Sequence, residues 1–271
     1  MPAAEGTPGD ATVATVCSVR QLLPAGAGPP DGDVDLDAVY GAGRRPGPGR
    51  PWVVANMVAS ADGAASIDGR SGGLGGQGDR LVFRHLRASA DVVVAAAGTV
   101  RTERYRPILA PRPTPIAVVS RSLDLDWASP LFTEAVARTI VLTCEAAAPA
   151  LRRRAAEVAD VVLAGDEVVA PDLALTALAR RGHRLVLCEG GPSLLAQLAA
   201  ASVLDELCLT ISPLLVGGDA PRALTGPVLA GPPRLRLAAV LEDEGHLLLR
   251  YLVDRGVVDP EPVDRAASAA A

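Results

Sequence analysis

The residues best suited to bind a ligand follow an apolar run at 184–189, where residues 189–194 have the sequence EGGPSL. The adjacent Gly190 and Gly191 would let a ligand approach the backbone closely, and Pro192 suits the first position of a helix. Free N–H groups at a helix N-terminus attract anions. The segment therefore predicts a cradle for a diphosphate, although an ordinary strand-to-helix turn with a tight glycine pair has the same residue types.

Two further turns suited to anions lie at the ends of other apolar runs. Thr99 follows the run 91–97 and can donate its hydroxyl to a phosphate, although its simplest role is to cap a following helix. Ser120-Arg121-Ser122 lies at the end of the run 115–120, and two hydroxyls beside an arginine suit a phosphate monoester such as the 2′-phosphate of NADPH. Because open α/β sheets bind ligands at the carboxyl ends of their strands, these turns together predict one anion-binding edge.

A long loop at 60–79, rich in glycine and serine, precedes a helical pattern at 79–89. Loops of this length inside a compact domain are usually functional or mobile. Asp79 either caps the helix or presents a carboxylate to a ligand, and the helix dipole is expected to keep it ionised. Arg87 either points into the cleft or lies on a solvated helix face. Asp62 is interpreted as a turn residue that bonds its own backbone.

The elements that would position these residues alternate along the chain. Strands are predicted at 52–59, 91–97, 115–120, 139–144, 160–164, 184–189, 206–212 and 246–252. Helices are predicted at 79–89, 148–159, 171–181 and 192–202. The central strands are apolar on both faces, which favours a mostly parallel α/β sheet flanked by helices and joined by right-handed crossovers. The last strands follow one another without helices, which predicts an antiparallel C-terminal edge.

Composition restricts the classes of partner. The 271 residues carry a formal net charge of −5, which favours neither a nucleic acid nor an anionic membrane. No apolar run approaches the roughly 18 residues that cross a bilayer, so a soluble, cytoplasmic protein is expected. No metal site is expected, because the cysteines stand far apart and form no C-x-x-C pair: Cys17, Cys144, Cys188 and Cys208.

The chain is predicted to hold one large domain at 51–255. Residues 1–11 and 256–271 are small, polar or proline-containing and are predicted to be disordered. Residues 12–50 form a short N-terminal extension. Within it we predict a strand at 12–19, a turn of helix at 34–40 and a Gly/Pro/Arg linker at 41–50.

In combination, these motifs resemble those of the riboflavin-biosynthesis pyrimidine reductases. The matching patterns are V-x-S-x-D-G at 58–63, L-R-x-x-A-D with G-T-V-R at 86–101, S-R at 120–121, E-G-G-P-x-L-L at 189–195 and L-D-E-L-x-L-x-I-x-P at 204–213. The resemblance covers about residues 51–252. That family is the reductase half of a bifunctional deaminase–reductase, and the resemblance implies a dihydrofolate-reductase-like fold. The deaminase motifs H-x-E and P-C-x-x-C do not occur in this sequence.

The resemblance also implies roles for individual residues. It implies NADPH as the hydride donor, a pyrimidine substrate and a homodimer. Asp79 and Glu189 would be catalytic, and Arg87, Asp79 and Asn56 would bind the substrate. The residues implied in NADPH binding are Ala59, Thr99, Ser120, Arg121, Gly190, Gly191, Pro192, Ser193 and Leu194.

Two departures from the family pattern lie on the substrate side. Asn56 stands where the family usually has a lysine, and residues 102–107 have the sequence TERYRP in place of a D-x-P-x-L-x-x-R loop. A pterin substrate, as in dihydrofolate or dihydropteridine reductases, is therefore a second hypothesis, with Asp79 as the acid beside the ring. A catalytically silent NADP-binding protein is a third, and an unrelated phosphate-binding module is a fourth.

Overall fold

The computed structural model describes residues 19–24, 34–41, 43–47 and 49–254. Within these ranges the chain forms seven helices and ten strands. The helices are α1 Leu36–Gly41, α2 Gln77–Ser89, α3 Ala97–Thr102, α4 Pro130–Thr133, α5 Pro149–Val158, α6 Pro171–Arg180 and α7 Pro192–Ala200. The strands are β1 Arg20–Leu23, β2 Trp52–Ser60, β3 Val92–Ala96, β4 Ile116–Val119, β5 Ile140–Thr143, β6 Asp160–Leu163, β7 Leu185–Cys188, β8 Glu206–Ser212, β9 Arg234–Asp243 and β10 His246–Asp254.

All ten strands join one mixed sheet in the order β1-β9-β10-β8-β2-β7-β3-β4-β5-β6. The run from β8 to β6 is parallel, whereas β10, β9 and β1 add antiparallel to the side of β8. The predicted fold class, a mostly parallel sheet with antiparallel C-terminal edge strands, is confirmed.

The central strands bury both of their faces, and this is why their sequences are continuously apolar. Val54 and Val93 belong to the core on the side of α2 and α3, whereas their chain neighbours Val53 and Val92 belong to the core on the side of α6 and α7. Each face of the parallel sheet is therefore covered by helices. None of the helices in the described part of the chain is long and apolar enough to cross a membrane.

Strand β9 and helices α3 and α4 are not predicted by the sequence pattern. The first four residues of β9, RLRL, are all exposed, so the strand lacks the apolar run that marks the central strands. Helices α3 and α4 have six and four residues, too few to display a helical period. The strand predicted at 12–19 and the disorder predicted at 1–11 and 256–271 lie outside the described residues, apart from Val19.

The described part of the N-terminal extension packs onto the antiparallel side of the sheet. Tyr40 of α1 is buried, and Arg44 donates to both carboxylate oxygens of Glu206 at 2.9 and 3.0 Å. Arg250 of β10 donates to the same carboxylate at 2.9 and 3.2 Å. Burial alone would raise the pKa of Glu206, but the two arginines hold it below its usual value. Part of the predicted linker at 41–50 is thus fastened to the domain.

Candidate active site

Four neighbouring parallel strands, β2, β7, β3 and β4, end at the same edge of the sheet. The polar turns predicted from the sequence follow these strands, and two adjoining cavities open there. One, of about 470 Å³, lies against α2, and we call it the α2 cavity. The other, of about 460 Å³, lies against the start of α7, and we call it the α7 cavity. The expected anion-binding edge therefore coincides with a cleft.

The α2 cavity brings together the residues predicted to bind the substrate or to be catalytic. Its lining includes Asn56 of β2, Asp79 and Arg87 of α2, and Glu189 after β7. Arg87 points into the cleft, so its alternative placement on a solvated helix face is wrong.

Arg87 and Glu189 form a bidentate ion pair. Arg87 Nε and Nη2 donate to the two oxygens of Glu189 at 2.6 and 2.7 Å, and the hydroxyl of Tyr105 donates to Oε2 at 2.7 Å. Burial works against the charge on Arg87, but the hydrogen bond and negative charge of Glu189 outweigh it, so the pKa of Arg87 is raised. The Arg87 guanidinium also lies 4.3 Å from the centre of the Phe83 ring, a cation–π contact. The guanidinium is therefore held from several sides.

Asp79 is the third residue of α2, because the helix begins at Gln77 and its N-cap is Gly76. The interpretation of Asp79 as the N-cap is therefore wrong. Its Oδ1 instead accepts a hydrogen bond from Thr210 Oγ1 of β8 at 2.7 Å. Burial raises the pKa of Asp79, and the Thr210 hydrogen bond and the charge of His246 only partly offset this. The expectation that the helix dipole keeps Asp79 ionised stays a prediction, with burial acting against it.

Glycines before and within α2 allow the β9–β10 hairpin to approach Asp79. A Cβ on Gly75 would collide with the Asp79 carboxylate, and a Cβ on Gly76 would lie 2.8 Å from the His246 ring. A Cβ on Gly78 would lie 2.7 Å from Asp243, whose carboxylate accepts from the Gly78 N–H at 2.7 Å. The glycine-rich sequence before Asp79 therefore permits close packing on the hairpin.

The α7 cavity contains most of the residues predicted to bind a cofactor. Its lining includes Thr99, Gly191, Pro192, Ser193 and Leu194. Pro192 is the first residue of α7, as predicted, and Gly191 is its N-cap. Helix α3 also begins at this cavity. Thr99 is the third residue of α3, after the N-cap Ala96, so its interpretation as an N-cap is wrong.

The two glycines after β7 are explained by neighbouring side chains. Gly190 has φ +88°, and a Cβ there would lie 3.2 Å from Met57 Sδ. A Cβ on Gly191 would lie 2.9 Å from Thr99 Oγ1. The peptide bond between Gly190 and Gly191 is cis. Side chains at these two positions would crowd Met57 and Thr99, which explains why both residues are glycine.

Four of the predicted cofactor residues line neither cavity of the described structure: Ala59, Ser120, Arg121 and Gly190. Ala59 is buried within β2. Ser120 is buried, and its Oγ accepts from the Leu123 N–H at 3.0 Å, closing its own turn. Arg121 is exposed beside it. Both follow β4, one strand beyond the α7 cavity, on the same edge of the sheet.

Other residues of the cleft are missed by the sequence analysis. Tyr105 and Glu103 lie in the segment noted as a departure from the family pattern, and that departure is the signal that could have found them. Thr210 has no such signal, because it is 131 residues from the carboxylate that it contacts.

Asp62 binds a distant loop, not its own turn alone. Its carboxylate accepts from the N–H groups of Gly217 at 2.7 Å and Val216 at 3.1 Å, and from Ser60 Oγ at 2.5 Å. Led by the Ser60 hydrogen bond, these contacts lower the pKa of Asp62 to about 2. Asp62 thereby ties the start of the glycine-rich loop to the segment that follows β8.

Comparisons with known proteins agree with this arrangement. The family profile of the RibD C-terminal domain matches residues 51–249. The 2,5-diamino-6-ribosylamino-4(3H)-pyrimidinone 5′-phosphate reductase of Archaeoglobus fulgidus is 30% identical over 193 residues, covering 65% of this chain and 87% of that protein. The protein of the same name from Aquifex aeolicus is 31% identical over 190 residues, covering 65% of this chain and 83% of that protein.

Among solved structures, a pyrimidine reductase-like protein from Corynebacterium diphtheriae superposes with a TM-score of 0.70 at 27% identity, covering 80% of this chain and 98% of that chain. The profile match spans nearly all of the sheet and both cavities, from the start of β2 into β10. The chain therefore belongs to the RibD C-terminal domain family of riboflavin-biosynthesis reductases.

Proposed function

We propose that the chain is an NADPH-dependent reductase whose substrate is a ribosylaminopyrimidine phosphate, the class of compound named in its relatives. The observation that supports this most directly is the adjacency of the two cavities. One presents Asp79, Asn56 and the Arg87–Glu189 pair, and the other presents the N-terminal ends of α3 and α7. A heterocycle in the first cavity would therefore meet a nucleotide cofactor in the second.

The α7 cavity fits the diphosphate of NADPH. Two helix N-termini face it, and each offers free N–H groups and a partial positive charge to an anion. The Thr99 hydroxyl and the exposed Ser193 add hydrogen-bond donors. NADPH supplies the hydride when it is bound. Arg121 and Ser120, which follow the adjacent strand, would bind the 2′-phosphate.

Asp79 would bind the polar edge of the pyrimidine. Burial raises the pKa of this carboxyl above its usual value, which makes it better suited than an exposed carboxyl to exchange a proton with a ring nitrogen or oxygen. The Asn56 amide, on β2, offers both a donor and an acceptor to the same ligand. In this proposal C1′ of the ribosyl imine accepts the hydride, the imine nitrogen accepts a proton, and a ribitylamino group results.

Glu189 takes a positioning role in this proposal, in place of the catalytic role assigned from the resemblance. Its two oxygens accept three hydrogen bonds, from Arg87 and Tyr105. A carboxylate so engaged would have to break charge-assisted bonds before it could exchange a proton. Its effect on the substrate would come through the placement of the Arg87 guanidinium.

A dihydropterin is the second candidate substrate. A single acid with a pKa raised by burial, facing a cavity without lysine, suits the 2-aminopyrimidine edge of a pterin as well.

The deciding experiment is a spectrophotometric NADPH-oxidation assay with a ribosylaminopyrimidine phosphate and a dihydropterin, side by side, with the product identified by mass spectrometry. Turnover of the pyrimidine is expected. Tight NADPH binding with no oxidation by either compound would favour a catalytically silent protein.

A homodimer is part of the proposal. Leucines are exposed on the antiparallel edge of the sheet, among them Leu22 of β1, Leu235 and Leu237 of β9 and Leu247 of β10. A second copy that covers this edge would bury apolar area and protect unpaired strand groups. Sedimentation equilibrium is expected to give twice the chain mass at micromolar concentration, and a monomer mass there would contradict the dimer.

A further inference from the structure

Glu103, directly after α3, lies where the two cavities meet. The residues that line both cavities are Met57, Ala65, Ser71, Thr99, Glu103 and Glu189. In the proposed function this junction is the place where the reduced cofactor and the substrate come into contact. Two carboxylates, those of Glu103 and Glu189, lie there, and they differ in how many hydrogen bonds they accept from the protein.

Both oxygens of the Glu189 carboxylate accept hydrogen bonds from Arg87 or Tyr105. In Glu103, by contrast, hydrogen bonds from described residues reach only Oε1. Oε1 of Glu103 accepts from the Ser71 N–H at 2.8 Å and from Ser71 Oγ at 3.1 Å. No described residue donates a hydrogen bond to Oε2 or forms an ion pair with Glu103. Ser71 therefore fixes the orientation of the carboxylate and leaves one acceptor available at the junction.

Glu103 is half-buried, and its carboxylate oxygen without a described partner favours a ligand that supplies a hydrogen-bond donor, because a hydrogen bond to a charged acceptor is stronger than one between neutral groups. An anionic group of the ligand would be repelled at this position. On the rings of the two proposed ligands, the donors are an amide and an amino N–H.

We propose that Glu103 Oε2 binds an N–H donor of the ligands at the junction, and that Ser71 is its positioning residue. This inference rests on the proposed function. Two ligands present such a donor: the carboxamide of the nicotinamide ring and an amino group of the pyrimidine. Through Ser71, the same contact holds the glycine-rich loop across the junction, so the loop and the acid are ordered together.

The variant Glu103→Gln separates ligand binding from loop anchoring. Its amide oxygen can still accept from Ser71, and its NH₂ group replaces Oε2, so a donor faces a donor. We expect kcat/KM to fall by about 10- to 100-fold, the factor for a lost charge-assisted hydrogen bond. Ser71→Ala, which removes one of the two contacts to Oε1 and leaves Oε2 in place, is expected to cost less.

Equilibrium binding distinguishes the two donors. If the carboxamide is the donor, Glu103→Gln weakens NADPH binding by that factor, and the 3-acetylpyridine analogue, which lacks the NH₂ group, binds variant and wild type alike. If the pyrimidine is the donor, NADPH affinity is unchanged and calorimetric affinity for the pyrimidine falls. Glu103→Asp serves as a second variant. Its shorter side chain keeps the charge but moves both oxygens away from the junction, so it is expected to show the same loss of affinity for the ligand that supplies the donor.

A wild-type protein that binds both ligands, beside a Glu103→Gln variant that binds and turns them over equally well, would overturn this inference and leave the proposed function intact. In that case Glu103 would only anchor the loop, a role that glutamine also fulfils. Failure of the wild type to bind either ligand would overturn both.

Discussion

The carboxylate of Asp79 on α2 accepts a hydrogen bond of 2.7 Å from the hydroxyl of Thr210 on β8. Strand β8 lies next to β2, which carries Asn56 on the floor of the same cavity. The acid is therefore held at a defined distance from the sheet by a hydroxyl, and an apolar residue in place of Thr210 would remove this donor. Its raised pKa follows from its burial in this corner.

We expect Asp79→Asn to lower kcat/KM by about 10²-fold, because asparagine cannot donate a proton to the ring of the substrate. The Kd for NADPH should change little, since Asp79 does not line the α7 cavity of the described structure. Asp172→Asn, an exposed acid on α6, is the matched control and should be silent. Wild-type turnover in the Asp79 variant would leave the proposed mechanism without its acid.

The pKa values of Asp79 and Asp62 are shifted in opposite directions, so the two residues should affect the pH dependence of the free energy of unfolding in opposite senses. The pKa of Asp79 is raised in the folded state, so the folded protein binds more protons and loses stability as pH rises from the unfolded pKa of 3.8 through the raised value. The pKa of Asp62 is lowered to about 2, so its contribution is present above pH 3.8 and is lost as pH falls toward 2.

Urea unfolding as a function of pH tests both signs. Asp79→Asn should become more stable relative to wild type as pH rises above 3.8, whereas Asp62→Asn should become less stable relative to wild type as pH rises from about 2 to 3.8. Parallel stability curves for either variant and the wild type would show that the shift assigned to that carboxyl is wrong.

Glu189→Gln should destabilise the protein by about 3 kcal/mol, because it leaves the Arg87 guanidinium without its counter-charge in a site where the two side chains are 24% and 2% exposed. Tyr105→Phe, which removes one hydrogen bond from the same carboxylate, should cost about 1 kcal/mol. Chemical denaturation measures both values. Equal, small losses in the two variants would mean that the ion pair adds nothing beyond the tyrosine contact.

Arg121→Ala should weaken NADPH binding about tenfold or more and leave NADH binding unchanged, because the arginine is proposed to bind the 2′-phosphate that NADH lacks. Arg153→Ala, at an exposed position on α5, is the control. Fluorescence titration with both cofactors gives the two affinities. If the ratio of the affinities does not change, the 2′-phosphate is bound elsewhere.

Gly191→Ala should abolish NADPH binding while circular dichroism still reports a folded protein. The added Cβ would lie 2.9 Å from Thr99 Oγ1 and would occupy the cradle proposed for the diphosphate. The double variant Gly191→Ala/Thr99→Ala, compared with Thr99→Ala alone, separates these causes. Recovery of binding in the double variant would attribute the loss to displacement of Thr99, whereas continued loss is expected if the diphosphate must meet bare backbone.

Local patterns in the sequence are sufficient for the central strands and for the turns that follow them. Pro192 predicts the start of α7, and continuous apolar runs predict β2, β3 and β7, because these signals depend on residues close together in the chain. The carboxyl ends of parallel strands share one edge of a sheet. It follows that the sequence alone predicts Thr99 and Gly191 at the same edge of the sheet.

The partners of each acid were decided by the tertiary structure. Glu189 contacts Arg87 across 102 residues of sequence, Asp79 contacts Thr210 across 131, and Ser71 contacts Glu103 across 32. The order of strands in the sheet sets these contacts, and periodicity within a segment carries no information about which strands become neighbours. The sequence alone therefore identified Asp79 and Glu189, but not Glu103, and the edge of the sheet where they lie. Only the packed sheet decided that Glu189 is fully paired, that burial raises the pKa of Asp79, and that Glu103 keeps an oxygen available.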